Sequence, residues 1–393
     1  MMEDDIIQIG KTVVIERGDY MRLHTLSNTN PYVSLGRDKV DLTPIIGQKY
    51  GTVYEMMPDK RDVFKLKECL EGEKRFEEHL INETTLSGED NRNISDGSVQ
   101  KLSRNDVEKL RESGSSGTEI VEKLMENSDS FNSKTRYSQA KFLKKKAKKY
   151  YPYLSIGRPS IRVLMDIFYK QDPIKLMNLR IDSLSLILSR ADIRPNGRYI
   201  IYESGCRGII VAAALERIGS SGNIIHLYQT GTPQNQSLEA MNFPAPVSDR
   251  LSTINLSHFR TLSHGGSIQL NPNDGKGGSK REAFRQESMK AFEVMQNKDM
   301  DGLIIASKQH PTNIVLTLLD YLAPSRSFVV YCPYKEPLID AYMAVKETNK
   351  TIMVTLSESW LRYIQVLPDR THPEVLMSGG GGYVLAGIKV DNS

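Results

Sequence analysis

The stretch Tyr202–Gly219, YESGCRGIIVAAALERIG, decides how the chain is read. RYIIYE (198–203) leads into it as a short apolar run, the pattern of a buried strand. An amphipathic helix leaves it, and a turn holding Gly205 and Gly208 lies between. In parallel α/β sheets such a turn binds nucleotide cofactors, because loop N–H groups and a helix N-terminus point at the ligand.

The form of this turn that holds adenosylmethionine in methyltransferases is E-x-G-x-G-x-G. Glu203 and Gly205 match it, but the next two glycine positions hold Arg207 and Ile209, and Gly208 falls out of register. A long arginine would fill the space of the cofactor's tail, and a β-branched isoleucine resists the backbone that glycine permits. The same residues also suit a purely structural strand-to-helix turn. Two further requirements fail. The next strand, NIIHLY, ends at Tyr228 and Gln229, and no acid that could grip ribose hydroxyls follows until Glu239. At the end of the strand DGLIIA, Ala306 stands where a catalytic acid is needed, and Lys308 brings positive charge. Three failures together argue against catalysis by this chain.

Working outward, residues 153–393 alternate helices with short apolar runs: RYIIYE, NIIHLY, DGLIIA, SRSFVVYC, TIMVTL and YVLAGIKV. This predicts a doubly wound α/β domain, Rossmann-like and of methyltransferase type, with an antiparallel strand pair at its end and a degenerate cofactor site. Residues 1–65 carry short strands punctuated by turns at Arg17-Gly18-Asp19 and Arg37-Asp38, which predicts a small antiparallel β-barrel of about five strands. Residues 66–102 are acidic and rich in Asn, Ser and Gly, a flexible linker by composition. Residues 103–152 are helical. Ser103/Asp106 and Ser116/Glu119 resemble capping boxes, and Ile120, Val121, Leu124 and Met125 form an apolar face.

The chain of 393 residues has a net charge of only +4, with 39% hydrophobic and 25% charged residues, ordinary values for a globular protein. The charge is segregated. No acid occurs between Asp129 and Asp166, a span with ten bases. Its centre, KFLKKKAKKYYPY, predicts a helix carrying Lys141, Lys144, Lys145, Lys146, Lys148 and Lys149 with aromatics interleaved. Cations on one rigid surface suit a nucleic-acid backbone; a nuclear localisation signal or a solvated face has the same composition. A basic, proline-stiffened loop holds Arg370 and His372 between Pro368 and Pro373, downstream of Trp360 and Arg362. Gly379 to Gly382 read as the tip of a long hairpin. The three cysteines form no CxxC pair and the seven histidines are scattered, so no metal site is expected. There is no apolar run long enough for a membrane helix and no secretory leader in MMEDDIIQIG.

Several stretches resemble the non-catalytic subunit of the eukaryotic tRNA (adenine-N1)-methyltransferase acting on T-loop position 58. They are IIGQKYGTVYEM, the segment DNRNISDGSVQKLSRNDVEKL with KTRYSQAKFLKKKAKKY, LSRADIRPNGRYIIYESGCRG, and QVLPDRTHPEVLMSGGGGYVLAG. The resemblance implies a nuclear heterotetramer of two such subunits and two catalytic ones, with adenosylmethionine bound by the catalytic partner and none by this chain. It implies that the departures at Arg207, Ile209, Tyr228 and Ala306 are proper to this subunit. It also implies that Lys141, Lys144, Lys145, Lys146, Lys148, Lys149, Arg362, Arg370 and His372 face tRNA. A self-sufficient methyltransferase with a divergent loop and a scaffold that touches no RNA remain the alternatives.

Overall fold

A computed structural model of the chain describes residues 5–59, 63–69, most of 101–146, 153–268 except 230, 278–366, and 371–391 except 376 and 378. The chain divides into two compact units. One is Met1–Pro159 with Arg362–Met377; the other is Ser160–Leu361 with Ser378–Ser393.

In the first unit, alternating apolar residues make short strands with one buried face. Strand β1 (Thr12–Arg17) turns through Gly18-Asp19 into β2 (Tyr20–Thr25), and β3 (Tyr32–Leu35) through Gly36-Arg37 into β4 (Asp38–Asp41). Strands β5 (Val53–Pro58) and β6 (Val63–Glu68) follow. The seventh strand, β7 (Tyr153–Gly157), pairs antiparallel with both β1 and β5. The order is β2-β1-β7-β5-β6-β4-β3. Arg22 on β2 donates to the Ser34 carbonyl on β3 at 2.6 Å, so the outer strands meet and the sheet is nearly closed. Ile7, Val13, Ile15, Val40, Leu154 and Ile156 fill its interior. β7 thus belongs to the first unit, whose first segment runs to Pro159. YLSIG is too short to reveal which sheet it joins, and both of its partner strands lie far upstream.

Within the helical segment, Ser103 and Asp106 form the expected reciprocal cap. The Ser103 N–H donates to Asp106 Oδ2 at 3.0 Å, and the Asp106 N–H to Ser103 Oγ at 3.3 Å. It starts the helix Arg104–Glu112; Gly117–Glu126 follows. Val107, Ile120, Val121 and Leu124 pack with Phe131, Leu143 and Tyr153. Ser116 lies outside the described residues.

The second unit is built on β8 (Arg198–Ser204), β9 (Asn223–Tyr228), β10 (Leu251–Asn255), β11 (Met300–Ser307), β12 (Leu322–Cys332), β13 (Thr351–Glu358) and, after a two-residue pair β14 (Ile364–Gln365) and β15 (His372–Pro373) that groups with the first unit, β16 (Tyr383–Lys389). The order is β10-β9-β8-β11-β12-β16-β13. The first five run parallel, and β16 lies antiparallel between β12 and β13. Covered on both faces, β8 reads as a continuous apolar run, with Tyr199 to Tyr202 fully buried. Successive crossovers go one way from β8 to β9 and β10 and the other way to β11 and β12. The carboxyl ends of β8 and β11 thus form a topological switch point, where open α/β sheets hold ligands. Of residues 360–366, only Ile364–Gln365 forms a strand, paired with the short His372–Pro373.

Candidate functional site

The turn after β8 stands at this switch point. Glu203, the last buried residue before it, is 3% exposed. Its carboxylate accepts from the Gly208 N–H at 2.6 Å and the Val211 N–H at 3.2 Å. It thus caps the helix Ile209–Ile218 from inside the loop, where unpaired amides and the helix dipole favour negative charge. Burial pushes this carboxyl up to about 7, against the pull of the helix amides. Nearby on β9, His226 is buried, with neither ring nitrogen hydrogen-bonded by the protein. Burial holds its pKa down to about 4.

Two more loop amides are engaged from outside the loop. Gln234, beyond β9, accepts through Oε1 from the Gly205 N–H at 3.1 Å and the Arg207 N–H at 3.0 Å. Ser237 returns two bonds to the Arg207 carbonyl, from its N–H at 3.1 Å and its hydroxyl at 2.9 Å. The Gln234 main-chain carbonyl passes so close to Gly208 that a Cβ there would overlap it, and Gly208 has φ +74°. Gly208 is thus required by this packing, although it is out of register with a cofactor motif. Arg207 itself has φ 56°, unusual for a side-chain-bearing residue. Its guanidinium stacks 4.8 Å from the Phe168 ring centroid. Lys308 and Met177 cover Gly205, their Cε and Sδ lying 2.8 and 3.0 Å from where its Cβ would be. Ile209 is the buried first residue of the helix. Nothing in the loop's own composition points to Gln234; only the fold brings it there.

Tyr228 ends β9 as expected, 3% exposed, with its ring 6.2 Å from Phe284 and 5.9 Å from His226. Burial, with Glu287 nearby, pushes its hydroxyl up to about 12. Ala306 lies within β11, fully buried and in register with Glu203 and Tyr331. Beyond it, the Tyr202 hydroxyl donates to Gln309 Oε1 at 2.7 Å. A cleft of about 360 Å³, lined by Gln229, Leu256, Ser257, Arg260 and Gln309, opens here. These groups offer amides, a hydroxyl and a cation, with no carboxylate among them.

Of the basic helix, Lys141 and Lys145 are exposed and Lys146 half-buried. Lys134 and Lys146 hold their ammonium groups 5.7 and 5.3 Å from the Phe142 ring, which also packs 5.5 Å from Phe131. Phe142 therefore packs within the helical segment. Lys144, Lys148, Lys149 and Arg370 lie outside the described residues. Arg362 is exposed. His372 Nδ1 lies 2.8 Å from the Pro373 carbonyl and Nε2 lies 3.1 Å from Gln365 Nε2. Nδ1 must carry the proton for the first of these bonds, and Nε2 then accepts from Gln365. Both ring nitrogens are thus used inside the short β14–β15 pair.

The chain is similar to the Mus musculus protein named tRNA (adenine(58)-N(1))-methyltransferase non-catalytic subunit TRM6. The two are 33% identical over 453 aligned positions, covering 98% of this chain and 89% of the mouse protein. The Dictyostelium discoideum protein of the same name is 27% identical over 421 positions, covering 98% and 80%. A solved SAM-dependent O-methyltransferase from Thermotoga maritima superposes with a TM-score of 0.54 at 12% identity, covering 99% of this chain and 97% of that one, a likeness of fold. The Gcd10p family pattern matches residues 6–293, and with that match and the mouse likeness, the chain belongs to the Gcd10p family.

Proposed function

We infer that the chain is the non-catalytic subunit of a tRNA (adenine(58)-N(1))-methyltransferase, working with a catalytic subunit that alone binds adenosylmethionine. The names of its relatives support this reading. The observation that carries it in the structure is the closed loop after β8. Four amides there are already committed to Gln234 and Glu203, and the ends of β9 and β11 present Tyr228 and Ala306 where acids would serve. The loop is in this sense a degenerate cofactor site. This subunit's work is to bind tRNA, through Lys141 to Lys149 and Arg362 with Arg370, and to complete a nuclear two-plus-two assembly. Replacing a paired catalytic loop by a self-satisfied one keeps the strand–turn–helix geometry while removing the donors a ligand needs.

Calorimetry tests the loop. The purified chain is expected to give no heat with adenosylmethionine, and stoichiometric tight binding would overturn the reading. The RNA surface is tested by substituting Lys141, Lys144, Lys145, Lys146, Lys148 and Lys149 in the assembly. The slope of log affinity against log salt should flatten by roughly 0.7–0.9 for each phosphate that is no longer neutralised. An unchanged slope would reduce the lysine run to a targeting signal or a solvated face.

A further inference from the structure

The four-glycine run does not form a hairpin tip. It lies at the base of a long excursion between β13 and β16, and the start of another helix holds that base. Arg180 precedes the helix Ile181–Arg190 and is 5% exposed. Its guanidinium makes a two-point pair with Asp182, Nε to Oδ1 at 2.9 Å and Nη2 to Oδ2 at 2.8 Å. Held in that plane, it reaches the outgoing chain at the Ser359 carbonyl (3.2 Å) and the returning chain at the Gly379 carbonyl (3.1 Å). Ser183, one turn on, does the same. Its hydroxyl lies 2.6 Å from the Gly381 carbonyl and 2.8 Å from Ser359 Oγ. A hydroxyl has one proton, which goes to the carbonyl, so Ser359 donates to Ser183.

A Cβ at Gly381 would lie 2.8 Å from Ser183 Oγ and 2.9 Å from Arg180 Nε and Nη2. A side chain at this position would therefore have to displace Arg180 or Ser183. A buried ion pair is rarely kept for its net stability, since desolvation consumes most of the attraction. Two carbonyls far apart in the chain, tied to one guanidinium, are instead a geometric constraint. The excursion between them carries Arg362, Arg370 and His372, and also Trp360 and Val375, which are 77% and 86% exposed.

We propose that Arg180, with Asp182 and Ser183, is a clasp that fixes where residues 360–378 leave and re-enter the second unit, and so positions the arginines of that segment for tRNA. Arg180 is a positioning residue. It acts through the segment and does not touch RNA. The proposal rests on the RNA-binding role given to Arg362 and Arg370 above.

The test uses the full assembly with its catalytic subunit. Amide hydrogen exchange is followed over 360–378, and tRNA affinity is measured across a salt series, in wild type, R180A, R180K, S183A and the double variant R362A/R370A. R180A should speed exchange across 360–378 at least tenfold. It should also flatten the salt slope by about as much as R362A/R370A does, roughly 1–2 if two phosphates are no longer neutralised. R180K keeps the charge but not the planar fork, and should resemble R180A. S183A, which removes only a hydroxyl, should show the same changes in smaller measure and serves where R180A does not fold. Unchanged exchange in R180A, or in S183A if R180A does not fold, overturns the clasp. Faster exchange with unaltered tRNA affinity, while R362A/R370A weakens binding, overturns its positioning role. Affinity indifferent to R362A/R370A refutes the RNA reading on which the proposal rests, whatever the exchange shows.

Discussion

Replacing Glu203 by glutamine should tilt the pH dependence of stability in a stated direction. Unfolded, the carboxyl titrates near 4.5; folded, burial moves it to about 7. Between those values the native state holds a proton that the unfolded state has lost. Stability from this group is therefore full below about 4.5 and is lost as pH rises to about 7. At about 1.4 kcal/mol per pH unit, the span is about 3 kcal/mol. His226 has the opposite sign. Its pKa falls from 6.5 to about 4 on burial, so the unfolded state binds the extra proton, and stability is lost as pH falls through that window, again by about 3 kcal/mol. Over the shared window the two slopes offset each other in the wild type. E203Q removes one and leaves the other. Relative to wild type, the variant should lose about 3 kcal/mol as pH falls from about 7 to about 4.5, or roughly 6–12 °C in Tm for a domain of this size. Urea denaturation at half-unit pH intervals reads the difference. The amide costs a constant amount as well, because one of its two ends cannot accept, but a constant does not tilt the profile. Profiles of wild type and E203Q that run parallel from about pH 4 to 7 would refute the reasoning.

Gly208→Ala should destabilise the second unit by about 2 kcal/mol or more, since it adds a left-handed non-glycine residue and an overlap with the Gln234 carbonyl; a Tm within one degree of wild type would contradict this. Gln234→Ala should speed hydrogen exchange at the Gly205 and Arg207 amides and spare those of Gly208 and Val211, which Glu203 holds; equal acceleration at all four would count against the division of labour between the two acceptors. Native-state alkylation should modify Cys69, half-buried, well before Cys332 and Cys206. Burial pushes both of those thiols up, and Cys206 is fully enclosed; early labelling of Cys206 would count against its placement. Trp360 is the only tryptophan and is exposed. Its emission should resemble indole in water and change when tRNA binds, and indifference to saturating tRNA would argue against RNA near residue 360.

Much of this is legible in the residues. The continuous apolar run of β8 and its neighbours predicts a parallel sheet, and the pairs around Gly18-Asp19 and Arg37 predict hairpins, because buried strands and tight turns write local signals. The Ser103/Asp106 cap is legible for the same reason. What escapes is non-local. Nothing in YLSIG marks it as a partner of β1 and β5. Nothing in TPQNQS marks Gln234 as the residue that meets the glycine loop, since a polar residue in a polar loop carries no periodicity. Arg207 stands out in its motif, but its destination on Phe168 depends on a helix well upstream. The glycines 379–382 have the composition of a turn tip, whereas Gly381 packs against Arg180 and Ser183, at the start of a helix remote in the chain. His372 stands out for its residue type, and its ring proves to be tied up by Gln365 and Pro373.

The placement of β7 also bears on how the chain comes off the ribosome. Six strands of the first sheet are complete by Glu68, but the strand that joins β1 to β5 ends at Gly157. Roughly 90 residues must be made in between, a delay of roughly 5–20 s at usual elongation rates. During that time β1 and β5 each expose an edge with unpaired amides, the kind of surface that recruits chaperones or a second nascent chain. Pairing across so long a stretch of sequence makes the closing of this sheet the slow, high-contact-order step of the first unit. A chain cut anywhere before Gly157 should leave the sheet open, however intact its first six strands are.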